Sequence, residues 1–406
     1  MPAGLATTHP SLFALVAGFV LAAALTGVLC IVVARICRRL GVLDRPEPRR
    51  VHTKAVPRLG GIAIFVSFLT VSLLVFRPAN DYELHVYAGL IAAAVLIVAV
   101  MAYDDIWGLP PLPRLGVQAL AALIAMFPAG HGTLIEVIHN PLIAQSAGHT
   151  LLALWVAIPF TMFWIVGMMN TINWVDGLDG LAGGVVTITA LVMAAISWLL
   201  GQHTAALLCA VLAGATLGFL PLNWHPARLF MGDSGAMFLG LALAVLANVG
   251  GAKLATMLLL LGLPILDTAR VIVRRLRQGR SPLHFDRSHI HHRLLSGGLS
   301  QRQIAALFYI VTATFGGVTI LAAYLQTRAG AWMLRIHPLP WLDISVSELP
   351  TLLGLALVVA VSVAIWRVAT LRRRHMGIPP GASSAIWRRP SSGQLPSAAS
   401  GSHRRP

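Results

Sequence analysis

Acid is scarce in this chain: 14 Asp and Glu stand against 30 Lys and Arg in 406 residues, a formal charge of +16. Charged residues make up 11% and hydrophobic residues 57%. Soluble domains carry charge on about a quarter of their residues, so a soluble globular protein is excluded. Cysteine is sparse as well. Cys30, Cys37 and Cys209 lie in or beside apolar stretches without metal or redox spacing, which excludes a disulfide scaffold and cysteine-ligated zinc and leaves packing as their expected role. No long internal repeat is present, so solenoids are excluded. No basic segment interleaves with aromatics, which argues against nucleic acid as a partner. The sequence His-Glu-x-x-His is absent too, against a metalloprotease helix.

Long apolar runs fill the space that charge leaves. Their continuity excludes a β-barrel, whose strands alternate. A membrane span needs roughly 20 mostly apolar residues. About eleven such segments begin near positions 11, 59, 84, 114, 151, 179, 204, 235, 254, 303 and 349. The expected fold is therefore all-α and polytopic, one integral-membrane domain over residues 1–375. A tail over 376–406, rich in Ser, Pro, Gly and Arg, is expected to be disordered. The first segment lacks a basic n-region and is too long for a signal-peptide core, so it is read as a span.

Lys and Arg set the orientation. The connection after the first segment holds Arg38, Arg39, Arg45, Arg49, Arg50, Lys54 and Arg58, and residues 270–302 and the tail from Arg367 are similarly basic. Placing these inside puts the amino terminus outside and the carboxyl terminus in the cytoplasm. Strict alternation then brings four polar stretches to the cytoplasmic face: Asp104-Asp105, residues 170–180, Phe230-Met231-Gly232-Asp233-Ser234-Gly235, and Asp286-Arg287-Ser288-His289-Ile290-His291-His292. The opposite connections hold scattered acids such as Asp81, Glu83 and Glu136.

Each stretch has a structural reading beside a chemical one. Adjacent carboxylates at Asp104 and Asp105 repel unless a cation or proton relieves them, yet they could be a polar cap where a helix meets water. In Asn170-Thr171-Ile172-Asn173-Trp174-Val175-Asp176-Gly177-Leu178-Asp179-Gly180, Asn173 and Asp176 share a helical face, while Asp179 could cap the sixth span. Asp233 could be a helix N-cap, or could hold a hard cation near a phosphate. Three histidines within four positions admit zinc, a phosphate-binding loop assisted by Arg280, Arg287 and Arg293, or a solvated loop. Intramembrane acids also suit a secondary transporter, although coupling residues there lie near the bilayer midplane rather than at span ends.

Taken together, Arg50-Val51-His52-Thr53-Lys54, Pro57-Arg58-Leu59-Gly60-Gly61, Tyr103-Asp104-Asp105, residues 170–180, residues 230–235, Pro264-Ile265-Leu266-Asp267 and residues 286–292 resemble, in order, the polyprenyl-phosphate N-acetylhexosamine-1-phosphate transferases. The His-Ile-His-His form is similar to the N-acetylglucosamine branch. The resemblance implies a bacterial inner-membrane enzyme with its site on the cytoplasmic face. It would move N-acetylglucosamine 1-phosphate from UDP-N-acetylglucosamine, or another UDP-N-acetylhexosamine, to undecaprenyl or a related polyprenyl phosphate, starting O-antigen, lipopolysaccharide or cell-wall glycan assembly. It further implies that Asn173 and Asp233 bind magnesium, with manganese as a substitute. Asp104 and Asp105 would lie beside the lipid phosphate or the metal, and Asp176 and Asp179 near the nucleotide-sugar. Lys54 would contact substrate, while Arg287, His289, His291 and His292 would hold the diphosphate. A homodimer is one expectation for its assembly.

Overall fold

The computed structural model of the 406-residue chain describes residues 10–45, 55–127, 133–139, 149–249, 254–279, 289–328, 335–339, 342–345 and 349–375. Among the described residues thirteen helices follow one another: α1 (Leu12–Leu40), α2 (Gly60–Val75), α3 (Asp81–Trp107), α4 (Pro111–Met126), α5 (Leu154–Val175), α6 (Leu181–Leu199), α7 (His203–Asn223), α8 (Gly232–Val249), α9 (Leu254–Leu260), α10 (Gly262–Arg277), α11 (Ile290–Ser296), α12 (Gln301–Arg328) and α13 (Leu349–His375). The fold is all-α and polytopic. Its only strands among the described residues form three two-stranded antiparallel pairs, β1 (Leu43–Asp44) with β2 (Val56–Pro57), β3 (Val137–His139) with β4 (His149–Leu151), and β5 (Arg335–Leu339) with β6 (Leu342–Ser345).

Each of the eleven expected span starts lies within three residues of a helix start. Among the described residues eight helices are long and apolar enough to cross a membrane, while α2 and α4 have 16 residues each, about 24 Å of helix. The segment expected to cross from residue 254 is a broken pair instead: α9 and α10 meet at an 87° bend. Gly262 and Pro264 stand at that break, where a proline lacks the amide that would continue the ladder.

Local chemistry sets the ends. Ser11 caps α1 by accepting from the Ala14 amide at 3.2 Å, Gly41 closes it in the left-handed conformation, and Asn80 caps α3 by accepting from the Glu83 amide at 2.9 Å. Helix α8 sits at the centre, buried from Ala236 to Ala247 and packed by α2, α3 and α5. Phe238 of α8 meets Phe65 and Phe68 of α2 with ring centroids 5.2 and 5.6 Å apart. By contrast, α1 and α13 expose Val28, Leu40, Leu353 and Val363, as helices at a bundle's lipid-facing edge do.

The start of α2 is fastened to the start of α8 by backbone. Gly60 and Gly61 amides donate to Phe230 and Met231 carbonyls at 2.9 and 2.8 Å, and the Phe230 amide donates to Pro57 at 2.9 Å. A Cβ on Gly61 would lie 2.1 Å from the Gly235 nitrogen, so no side chain fits. Forced overpacking typically costs about 1–3 kcal/mol. Gly61→Ala is expected to lower thermal stability in detergent by at least that amount; an unchanged melting temperature would show that the seam yields.

Candidate active site

The site grows from a buried acid. Asp105, near the carboxyl end of α3, has a side chain with 0% exposure. Its Oδ1 accepts from the Asp233 amide at 2.9 Å, and its Oδ2 accepts from the Ser234 amide at 3.1 Å and the Ser234 hydroxyl at 2.9 Å. These amides are among the first of α8, which have no partner within their own helix. The Asp105 carboxylate therefore caps α8 from another helix and meets its positive dipole end. Gly232 is what lets it approach: its φ is +77°, and a Cβ there would lie 2.5 Å from Asp105 Oδ2.

Around this cap, charges alternate. Arg58 lies 3.6 Å from Asp105 Oδ1. Arg114, one turn into α4, reaches Asp104 Oδ2 through Nε at 3.1 Å and pairs with Asp233 Oδ2 through its terminal nitrogen. Asp104 Oδ1 accepts from the Leu109 amide, whereas Asp104 Oδ2 is buried without a hydrogen bond among the described residues, in an ion pair with Arg114. The second Asp233 oxygen accepts from Asn173 Nδ2 at 2.8 Å. Asn170 is held lower on α5, donating to Gln118 Oε1 at 2.6 Å. Of the three carboxylates, Asp233 is the most open, with 24% side-chain exposure against 4% for Asp104.

The turn after α5 forms a second wall. Burial pushes the Asp176 carboxyl well above the usual carboxylate range, and the neighbouring Asp233 and Asp105 charges push the same way. Asp179 is engaged elsewhere: its Oδ2 accepts from His225 Nδ1 at 2.7 Å and from the Ala227 amide at 3.1 Å. It does not cap α6, whose N-cap is Gly180 with no side-chain bond; the loop before α8 offered better donors. Asn223 Oδ1 takes the Gly180 amide at 2.9 Å while its Nδ2 donates to Leu229 at 3.0 Å, tying the turn to the same loop.

The histidines close the arrangement. Asp267 of α10 accepts from His289 Nδ1 at 2.9 Å and from the Ile290 amide at 3.0 Å. Its other oxygen takes Arg270 at 2.9 Å. His289 and His291 stack nearly parallel, centroids 5.7 Å apart at 8°, and His292 lies 4.3 Å from His291. Trp174 and His289 rings are 5.7 Å apart, and a Cβ on Gly177 would meet His291 Nε2 at 2.6 Å. The histidine segment thus abuts the 170–180 turn.

Four stretches distant in sequence therefore share one end of the bundle, with Asp81 and Glu83 at the other end of α3, about 35 Å away along the helix. Sequence comparison completes the assignment. The model of the family described as glycosyl transferase family 4 matches residues 87–251. The probable undecaprenyl-phosphate N-acetylglucosaminyl 1-phosphate transferase of Bacillus subtilis (strain 168) is 32% identical over 308 residues, covering 74% of this chain and 82% of that protein. The chain belongs to glycosyl transferase family 4. The decaprenyl-phosphate N-acetylglucosaminephosphotransferase of Mycolicibacterium smegmatis is 37% identical over 301 residues, 67% of this chain and 73% of that one. The undecaprenyl-phosphate alpha-N-acetylglucosaminyl 1-phosphate transferase of Escherichia coli K12 is 28% identical over 306 residues, 71% and 79% of the two chains.

The family 4 match contains Asp104, Asp105, Asn173, Asp176, Asp179 and Asp233; the histidine segment lies beyond it. Lys54 and Arg287 fall outside the described residues, as does the 376–406 tail. Reading the sequence missed Arg114, the cation shared by Asp104 and Asp233. Its signal was a lone arginine one turn into an apolar helix after Pro110-Pro111-Leu112-Pro113. Asn223 and His225 were missed as well, because nothing local marks a partner about 45 residues away.

Among the described residues no three His, Cys, Asp or Glu side chains converge as a chelate. Asp233 with Asn173 nonetheless offers two oxygen-bearing groups in contact, the amide presenting oxygen after a half-turn. Such a pair can hold a hard cation that draws its other ligands from phosphate and water.

Burial, reinforced by His292 and His289, pulls the His291 pKa well below its ordinary value of 6.5. In the unfolded chain this imidazole takes up a proton as pH falls through about 6.5, and in the folded one its protonation is pushed to lower pH. Stability is therefore full above that pH and declines below it. Thermal melting followed from pH 7.5 to 5 is expected to show this decline and to show a shallower one in His291→Gln; identical slopes would remove His291 as the cause.

Proposed function

We propose that this chain transfers N-acetylglucosamine 1-phosphate from UDP-N-acetylglucosamine to a polyprenyl phosphate, releasing UMP, at the cytoplasmic face of a bacterial inner membrane. The carrying observation is the network of hydrogen bonds and ion pairs that joins Asp104, Asp105, Asn173, Asp233, Arg58 and Arg114, in a chain whose relatives are named for this transfer. The basic connections support the inside placement.

In the reaction an oxygen of the lipid phosphate bonds to the sugar-bearing phosphorus, and the bond from that phosphorus to the UMP oxygen breaks. Two polyanions must meet, so the main demand on the protein is charge neutralisation and alignment. Alignment alone can remove roughly 7–11 kcal/mol of barrier in favourable cases. Arg58 and Arg114 would supply positive charge to incoming phosphates, and His291, its pKa lowered by burial, abuts Gly177. Asp105 holds the frame. Asp233 and Asn173 would hold magnesium, or manganese in its place, which would neutralise the diphosphate. Asp176, whose carboxyl burial and the neighbouring Asp233 and Asp105 charges push upward, is the acid whose ionised form a bound cation would favour.

A transporter reading has one feature in its favour, the broken α9–α10 pair carrying Asp267. Both oxygens of Asp267 are committed to His289, Ile290 and Arg270, so the break anchors a loop instead of exposing a coupling carboxylate.

Purified protein with polyprenyl phosphate, labelled UDP-N-acetylglucosamine and magnesium is expected to release UMP and lipid-linked sugar in equal amounts, both abolished by a chelator. Absence of both products would refute the transferase, and sugar uptake into vesicles without UMP would establish the transporter. Asp104→Asn is expected to lose about 100-fold or more in turnover while still binding nucleotide; unaltered turnover would end any role for that carboxylate in chemistry. Asp233→Asn is expected to lose the manganese signal seen by electron paramagnetic resonance, independently of activity, and its retention would move the cation elsewhere.

A further inference from the structure

The three helices that meet at Asp233 meet again one turn away from the charged rim. In the upper layer Arg114 of α4 and Asn173 of α5 both bond Asp233 of α8. Residues three or four apart share a helix face. Gln118 stands four residues beyond Arg114 on α4, Met237 four beyond Asp233 on α8, and Asn170 three before Asn173 on α5. These side chains are joined as well. Gln118 Oε1 accepts from Asn170 Nδ2 at 2.6 Å, and Gln118 Nε2 donates to Met237 Sδ at 3.4 Å. Asn170 Nδ2 also donates to the Val166 carbonyl at 2.8 Å, one turn back along its own helix. Gln118 is 2% exposed and Met237 1%.

A buried amide is costly unless partners are supplied, and a methionine would fill the same space without that demand. What the amide adds is direction. Apolar contacts let helices slide, whereas a hydrogen bond of 2.6 Å between two side chains fixes how far α4 stands from α5. The upper layer needs this because its own clasp must open. Asn173 Nδ2 donates to Asp233, and before both groups can turn oxygen toward one divalent cation that bond has to break, since an amide nitrogen is a donor and not a ligand. With it broken, Arg114 still ties α4 to α8. The tie from α5 to the other two helices then passes to Gln118, through Asn170 on one side and Met237 on the other.

We propose that Gln118 and Asn170 are positioning residues, which hold α4, α5 and α8 from one turn below at the spacing where Asn173 and Asp233 share a divalent cation. Neither touches the cation or a substrate. The inference deepens the cation pair proposed above and rests on it, but it does not depend on which sugar or lipid reacts there.

Manganese binding to the detergent-solubilised full chain, read by electron paramagnetic resonance without nucleotide or lipid, tests this. Groups that orient metal ligands from outside matter roughly 10- to 100-fold in affinity. Gln118→Met, which keeps the length of the side chain, is therefore expected to weaken manganese binding about 10-fold, and Asn170→Leu by a similar factor. Both remove the same bond, so the double variant is expected to bind no more weakly than the weaker single one, where independent effects would multiply to about 100-fold. In UMP release, which rests on the transferase reading, excess manganese is expected to restore most of the turnover of Gln118→Met; a general loss of packing would not be repaired in this way. Unaltered manganese affinity in the single variants, losses that multiply in the double variant, or turnover that stays low at saturating manganese overturns the positioning role and leaves the cation pair in place. A wild type that binds no manganese removes the pair and the positioning role together. A wild type that binds manganese but releases no UMP refutes the transferase reading alone, and the affinities then decide. If Gln118→Met fails size exclusion, Asn170→Leu carries the test, and wild-type affinity in that variant overturns the role.

Discussion

The carboxylate of Asp105 on the first turn of α8 is the constraint from which the rest of the site follows. An ionised acid withdrawn from water costs several kcal/mol unless donors replace its hydration. Here two backbone amides and a hydroxyl do so, at 2.9 to 3.1 Å, at a helix end that already carries positive potential. The same contact satisfies α8 amides that would otherwise be orphaned. It also sets where Asp233 points, because the residue whose amide is captured has its own side chain aimed at Arg114 and Asn173.

From that anchor the chain spends its few acids in a graded way. Asp105 is fully enclosed, Asp104 nearly so, and Asp233 faces outward, with Arg58 and Arg114 interposed. Asp179 and Asp267, one on each flank, hold loops instead of facing the centre: one secures the 225–227 loop and the other the histidine segment. In a chain with so little acid each of these structural carboxylates bonds several donors.

Much of this was legible from residue order. Apolar runs located the helices because burial in lipid demands continuous apolar sequence, and the polar stretches at one end stood out against that background. Asp104, Asp105, Asn173 and Asp233 do come together. Local rules failed where the decisive partner was remote. Asp179 reads as a cap for the helix that follows it, yet His225 and Ala227 take its oxygen. Asp233 reads as an N-cap, yet the capping acid of α8 comes from α3. Periodicity carried the segment from residue 254 straight through a break that Gly262 and Pro264 marked. Arg114 was invisible because positive-inside bias accounts for any arginine at such a place, so its bridging role needed coordinates.

The seam between Gly61 and Gly235 has a mechanical meaning. Side chains that pack against one another can change rotamer and let their helices drift by an ångström or more. Two backbones in direct contact have no such slack. Arg58 is three residues before one glycine and Asp233 two residues before the other, so their separation is governed by main-chain stiffness. The most solvent-accessible acid of the site is thereby registered against one of its cations with the tolerance of a covalent frame, while the mobile freedoms of the site are left to the tips of Arg58 and Arg114.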